Sequence, residues 1–196
     1  MADMVDKRLF AELEERRIEE IILPEYCDYS EKEQCYLVKA WGGSYAVYPE
    51  QQVIKPLGGT AEPHSYFCVF LVNYLLAEKE ITSTGKWISE KDLAGGVTFF
   101  RGPHKIPTDL ISEIYRNDVD GLKQKCIQLG GSPLDMADCS FSFDIIGSIK
   151  IALLYWRGDE DFPAKAKLLI DSSVTNSLRL DVIFGLLCDA CVRIAK

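Results

Sequence analysis

The spacing of apolar and charged residues near the start of the chain predicts an amphipathic helix over residues 4–22. Its apolar positions, which lie roughly on one side with charged residues between them, are Leu9, Leu13, Ile18, Ile21 and Ile22. Pro24 ends this segment, because proline cannot continue a helix. We expect the helix to pack on the core or on another subunit.

The pattern then changes to short strands between residues 34 and 54. The stretches CYLVKAW and SYAVYP flank Gly42-Gly43, which predicts a β-hairpin. Residues 64–80 are apolar on nearly all sides and predict a buried helix. The following stretch, GKWISEKDLAGGVTFFRG, predicts a strand, a polar turn and a second strand near Val97 to Phe100.

The remaining pattern predicts helices followed by a meander of strands. PTDLISEIYRN is a helix with Thr108 as N-cap, and DVDGLKQKCIQLGG is a helix capped by Asp118 and stopped by Gly130. CSFSFDII, SIKIALLYW and AKAKLLIDSS are strands, and a helix begins at about Leu180. Because helices and strands are segregated, we expect an α+β fold with an antiparallel or mixed sheet covered by helices. The expected organisation is an N-terminal helical segment, 1–24, and a single domain, 25–196.

Composition narrows the classes of function. The chain has 196 residues, 47% of them hydrophobic, and a net charge of −8, so a folded core is expected. The negative charge argues against binding to nucleic acid or to an anionic membrane surface, both of which need clustered cations. The charged N-terminus lacks the apolar core of a secretory signal, and seven cysteines are an odd number. We therefore expect reduced thiols and a cytoplasmic location.

The acidic stretch between the last two predicted strands has the highest density of side chains that could bind a ligand or take part in catalysis. Trp156 is followed by Arg-Gly and then by Asp159, Glu160 and Asp161. These carboxylates could bind a hard cation if Asp171 or Asp138 converged on them, or they could include an acid–base pair. The third interpretation is a polar turn in which Asp159 binds backbone amides.

A second candidate site is the loop FFRGPHKIP at residues 99–107. Arg101 could bind a carboxylate or a phosphate through two parallel hydrogen bonds, and His104 could act as a metal ligand or a general base. The alternative is a surface loop with both side chains in water. The chain has only two histidines, so a multi-histidine metal site is hard to build.

Two further groups of residues are considered as binding sites because of their residue types. Trp41, Trp87 and Trp156 with Tyr155 could line a pocket for a flat ligand such as a tetrapyrrole, or they could be core residues. The Cys188-x-x-Cys191 pair lies inside the final helix with no second pair elsewhere. It is therefore interpreted as two small buried residues rather than as a zinc or redox motif.

Three stretches together resemble the family of domain of unknown function 3786, found in anaerobic bacteria and archaea. They are GKWISEKDLAGGVTFF, LGGSPLDMADCSFSFD and ALLYWRGDEDFPAKAKLLIDSS, and the resemblance runs from about residue 35 to the end. Some relatives are fused to a small iron–sulfur domain similar to that of corrinoid proteins, and the resemblance therefore implies a role near corrinoid or one-carbon metabolism. This chain contains neither a four-cysteine cluster motif nor an Asp-x-His-x-x-Gly corrinoid motif.

These observations lead to one leading expectation and two alternatives. The leading one is a non-catalytic accessory or ligand-binding protein of anaerobic metabolism, with a groove near the 157–161 turn and the 101–104 loop. The alternatives are a metal-dependent, hydrolase-like enzyme that uses the acidic turn and His104, and a protein–protein adaptor. A small-molecule cofactor, a partner protein and self-association all stay open, and no cofactor is identified. The ligand-binding candidates are Arg101, His104, Trp156, Asp159, Glu160, Asp161 and Asp171, of which Asp159, Asp161 and His104 are the metal candidates.

Overall fold

The computed structural model describes residues 4–18, 21, 26–77 and 81–196, except for the side chain of residue 176. Within these residues the helices are α1 Lys7–Glu15, α2 Ser65–Leu75, α3 Gly96–Phe99, α4 Asp109–Tyr115, α5 Val119–Gln128 and α6 Leu180–Ala195. The strands are β1 Cys27–Ser30, β2 Cys35–Ala40, β3 Gly43–Tyr48, β4 Val53–Leu57, β5 Trp87–Ile88, β6 Ser132–Pro133, β7 Cys139–Ile146, β8 Ile149–Trp156 and β9 Lys165–Asp171. The expected α+β class is confirmed, with two antiparallel sheets.

The first sheet is an antiparallel meander in the order β1-β2-β3-β4. The predicted hairpin is confirmed as β2 and β3, but its two loop residues are Trp41 and Gly42, because Ala40 pairs with Gly43. Both loop residues have positive φ angles, 46° and 68°, as the tight turn between twisted strands requires. Tryptophan is rarely found in this conformation, so contacts outside the hairpin must hold it there.

The second sheet has the strand order β5-β9-β8-β7-β6. The predicted meander is confirmed in the antiparallel pairing of β7 with β8 and of β8 with β9. On its other side β9 pairs with β5 only at Ile170 and Asp171. The rest of β9, residues 165–169, therefore lies along an open edge of this sheet.

The N-terminal helix is shorter than the pattern predicts. It ends at Glu15, and the backbone of Arg16 is already extended, with ψ at 138°. The Arg16 side chain pairs with Glu12 and donates a hydrogen bond to the carbonyl oxygen of Leu76, 3.3 Å away, just beyond α2. Because this contact joins residues that are far apart in sequence, the local periodicity of the helix could not predict it. Ile22 and Pro24 lie outside the described residues.

The predicted strand at Val97 to Phe100 is wrong, because Gly96–Phe99 forms the short helix α3. Its β-branched and aromatic residues favour a strand, but the glycine pair overrides them. Gly95 adopts a positive φ of 77°, and a Cβ atom at Gly96 would clash with the carbonyl oxygen of Glu90. Glycine at both positions lets the chain turn closely around the short 3-10 helix at Glu90–Asp92.

The helices and both sheets share one main hydrophobic core. Helix α2 packs on α6, while α4 contacts both α6 and β9, and α5 covers β7. Asp118 caps α5 as predicted, its carboxylate accepting from the Gly121 amide at 2.9 Å. Thr108 stands at the N-cap position of α4 but makes no capping hydrogen bond through its side chain. In the part of the chain described, none of the helices is both long and apolar enough to cross a bilayer.

Candidate functional site

The acidic turn forms a self-contained loop between β8 and β9. The Asp159 carboxylate accepts hydrogen bonds from the backbone amides of Asp161 and Phe162 at 2.9 and 2.7 Å. The Asp159 amide donates in return to the carbonyl oxygen of Phe162 at 2.9 Å. Asp138 accepts from the Arg157 amide at 3.0 Å and so binds the start of the loop rather than an ion. These contacts give the acidic residues a structural role. They agree with the third interpretation, a polar turn in which Asp159 binds backbone amides.

Asp171 lies at the end of β9, away from the acidic turn, and is 1% exposed. Its two oxygens accept from the amides of Thr84, Gly85 and Ser173 at 2.8–3.0 Å. The hydroxyls of Ser83 and Thr84 complete the set at 2.9 and 3.0 Å. Burial raises the pKa of this carboxyl. The hydrogen bonds from the Thr84 and Ser173 amides lower the pKa by more than burial raises it, so it lies well below its ordinary value. Asp171 therefore clamps residues 83–85 to the sheet.

His104 is exposed and lies among aromatic rings. It stacks on Phe99 with the ring centroids 4.5 Å apart and lies perpendicular to the ring of Phe184 in α6, with the centroids 5.3 Å apart. Within the described part of the chain, no group of three or more His, Cys, Asp or Glu side chains is arranged to hold a metal ion. The metal-site hypothesis for Asp159, Asp161 and His104 thus gains no support from the geometry.

The aromatic candidates separate onto two sides of the second sheet. Trp41 and Tyr155 belong to the main core, where the Tyr155 hydroxyl donates to the carbonyl oxygen of Arg116 at 2.6 Å. Trp87 and Trp156 instead pack on a small apolar cluster formed by Ala152, Leu154 and Leu169. The four rings therefore do not line one common pocket.

All seven cysteines are buried and free. Burial raises the pKa of the Cys188 thiol to about 12 and also raises that of Cys191. A raised pKa disfavours the thiolate that both metal binding and disulfide exchange require. The interpretation of this pair as small buried residues agrees with these properties.

One cleft among the described residues is formed by segments that are distant in sequence. It has a volume of about 600 Å³ and lies between the open edge of β9 and two loops. The residues lining it are 89–91, 100–102, 105–106, 108–109 and 165–168. Arg101 is thereby brought beside the start of β9, whereas the acidic turn residues 159–161 do not line the cleft.

The walls of this cleft are basic and its base is apolar. Five cationic side chains line it against two anionic ones, a local excess of three positive charges in a chain of net charge −8. The cationic residues are Lys91, Arg101, Lys105, Lys165 and Lys167. Of these five side chains, only Lys105 forms an ion pair with a described residue, Asp109, at 2.5 Å. The buried side chains of Phe100, Ile106 and Leu168 provide the apolar part of the lining. We refer to this feature as the basic cleft.

A buried charge cluster on α6 was not predicted from the sequence. Asp189 is 1% exposed, and its carboxylate accepts from the Nε of Arg193 at 2.6 Å. Burial raises the pKa of Asp189, and the neighbouring guanidinium offsets only part of that rise. The Arg193 guanidinium also lies over the rings of Trp41 and Phe67, 5.2 and 4.6 Å from their centroids. It thus links α6 to the strained turn of the first sheet. The sequence signal that could have identified this ion pair is the Asp–x₃–Arg spacing, which places both side chains on one face of a helix.

These features describe a small α+β protein with a basic cleft at an open sheet edge. The family model described as Domain of unknown function (DUF3786) matches residues 18–192. The chain therefore belongs to this family, as the resemblance of its motifs indicates. Helix α1 lies outside the matched range. No curated protein and no solved structure matches the chain.

Proposed function

We propose that this chain is a non-catalytic binding protein that holds an anionic ligand in the basic cleft. The observation that carries the proposal is the concentration of five cationic side chains around one cleft in an acidic protein. Outside this cleft the net charge repels anions, so binding depends on the local field of the cleft. A role in anaerobic or corrinoid metabolism stays a prediction of the family resemblance.

The shape of the cleft supports a binding role. A volume of about 600 Å³ is in the range typical of ligand sites, and a partly apolar lining with a few polar groups is their usual composition. Arg101 forms no ion pair with a described residue, so its guanidinium has donors to offer. A guanidinium binds a carboxylate or a phosphate through two parallel hydrogen bonds. Lys165 and Lys167 would contribute charge from the opposite wall.

The proposal is tested by isothermal titration calorimetry with pyrophosphate and, in a parallel arm, with citrate. Arg101→Glu and Lys167→Glu each reverse one charge at the cleft and should weaken binding about tenfold. Lys32→Glu makes the same change on an exposed turn of the first sheet and should stay within about twofold of the wild type. Binding should also weaken as salt is raised.

Two results would overturn the proposal. One is the absence of measurable binding of either anion at low salt. The other is an equal effect of the Lys32→Glu control and the two cleft variants, which would mean that the anions respond only to overall charge. Binding of citrate but not of pyrophosphate would support the proposal and identify carboxylates as the preferred class.

A further inference from the structure

The basic cleft is lined by the edge of strand β9 rather than by one of its faces. Four consecutive residues, 165–168, contribute to the lining. Side chains alternate between the two faces of a strand, so four consecutive residues can line one cleft only if the cleft runs along the backbone edge. None of the backbone hydrogen bonds among the described residues joins 165–168 to the opposite wall of the cleft. The outward N–H and C=O groups of this segment are therefore available for pairing.

We propose that the basic cleft binds an extended acidic segment of a partner protein, which pairs with residues 165–168 of β9 as an added strand. This inference rests on the proposed anion-binding function and identifies the class of ligand. An open edge is a template for another strand, because the backbone groups on both sides match. Four residues of β9 span about 13 Å, which a four-residue segment of extended peptide covers.

The two faces of β9 predict the pattern of the partner sequence. Ala166 and Leu168 face the main core, whereas Lys165 and Lys167 are exposed on the other side of the sheet. An added strand would place alternate side chains beside the lysines and beside the apolar residues. Acidic residues therefore suit one set of positions and apolar residues the other. The predicted ligand is a peptide in which acidic and apolar residues alternate.

The same lysines argue against a second copy of β9 as the occupant. Lysines on an open edge repel another strand with the same charges and favour a strand of opposite charge. Two antiparallel copies of β9 would bring four lysines together on one face. An acidic strand instead pairs with them and also faces Arg101 across the cleft.

The experiment uses an eight-residue peptide of alternating glutamate and valine, acetylated, amidated and labelled with fluorescein. Its binding to the whole chain is followed by fluorescence anisotropy. Two further peptides carry N-methyl groups at either the odd or the even positions. N-methylation removes the N–H donors on one edge of the strand and leaves the charges unchanged. We expect one methylated peptide to lose at least about tenfold in affinity and the other to stay within about threefold.

The outcomes separate this inference from the proposed function. A tenfold difference between the methylated peptides, with weaker binding by Arg101→Glu and normal binding by Lys32→Glu, supports strand addition. Equal binding of both methylated peptides would overturn it, because the peptide would then be held by charge alone. Binding of pyrophosphate or citrate without binding of the peptide would overturn strand addition and leave the proposed function standing. A dimer dissociated by Arg101→Glu would assign the cleft to a second copy and also overturn the inference.

Discussion

Replacing Asp171 with asparagine tests whether this carboxylate supports the fold rather than a ligand. Asp171 is buried, and its oxygens accept five hydrogen bonds from Ser83, Thr84, Gly85 and Ser173. These contacts hold the segment before β5 against the end of β9. Asparagine has almost the same size, so the change removes the charge and one acceptor without opening a cavity.

The size of the effect follows from these hydrogen bonds. Asparagine keeps one acceptor oxygen, and its NH₂ group then faces the amide of Gly85, which bonds to the other oxygen in the native protein. A hydrogen bond to a charged group contributes about 1.5–3 kcal/mol, and an unpaired buried donor costs about 1–3 kcal/mol. We therefore expect the free energy of unfolding to fall by about 3 kcal/mol. For a chain of this length the Tm should fall by about 6–12 °C.

Urea unfolding followed by circular dichroism measures this difference. Asp135→Asn is the matched control, because Asp135 is exposed and makes no hydrogen bond or ion pair with a described residue. Since the pKa of Asp171 is lower in the folded than in the unfolded chain, its stabilisation is complete above about pH 5 and is lost progressively as the pH falls. The difference between wild type and variant should therefore shrink from pH 5 to pH 3. A loss below about 1 kcal/mol at pH 7 would refute the assignment.

Three further predictions concern the buried charge cluster, the cysteines and the acidic turn. Arg193→Met should lower the free energy of unfolding in urea by about 3–5 kcal/mol, because Asp189 is left buried and unpaired. Adding Asp189→Leu should recover most of that loss, and no recovery would mean that the ion pair itself stabilises the fold. Cys188 and Cys191 should react with Ellman's reagent at pH 8 only after unfolding in guanidinium, because both thiols are buried and their pKa values are raised. Prompt reaction of these thiols in the folded protein would contradict this prediction. Asp159→Ala should cost about 1 kcal/mol in the same urea assay and leave the pyrophosphate affinity unchanged, and weaker pyrophosphate binding would place the acidic turn in the ligand site.

Local sequence signals were sufficient for the elements whose contacts are also local. The β2–β3 hairpin, the β7–β8–β9 meander, the buried helix α2 and the Asp118 cap all follow from alternation, periodicity or turn chemistry. Helix α3 was missed because its residue types favour a strand, and the close approach of Gly96 to Glu90 decides its conformation. Propensity is a weak guide where tertiary packing at one position controls the backbone.

The candidate site was predicted only in part for the same reason. The sequence offered Arg101 as a candidate for binding a carboxylate or a phosphate, with a solvated loop as the alternative, and the structure shows that Arg101 lines the basic cleft. Its neighbours Lys165 and Lys167 come from a strand more than sixty residues away, and alternation alone presents them as ordinary exposed strand positions. Asp171 was a candidate only if it converged on the acidic turn, but its carboxylate instead accepts hydrogen bonds from residues 83–85.

The most direct test of the central claim is to map anion binding by NMR. Pyrophosphate would be titrated into ¹⁵N-labelled protein and the shifts of the backbone amide resonances followed. We predict that the largest shifts fall on residues 89–91, 101–105 and 165–168, and that Arg101→Glu suppresses them. Shifts centred on the 157–162 turn, or spread evenly over exposed lysines such as Lys32, would contradict the assignment of the basic cleft as the binding site.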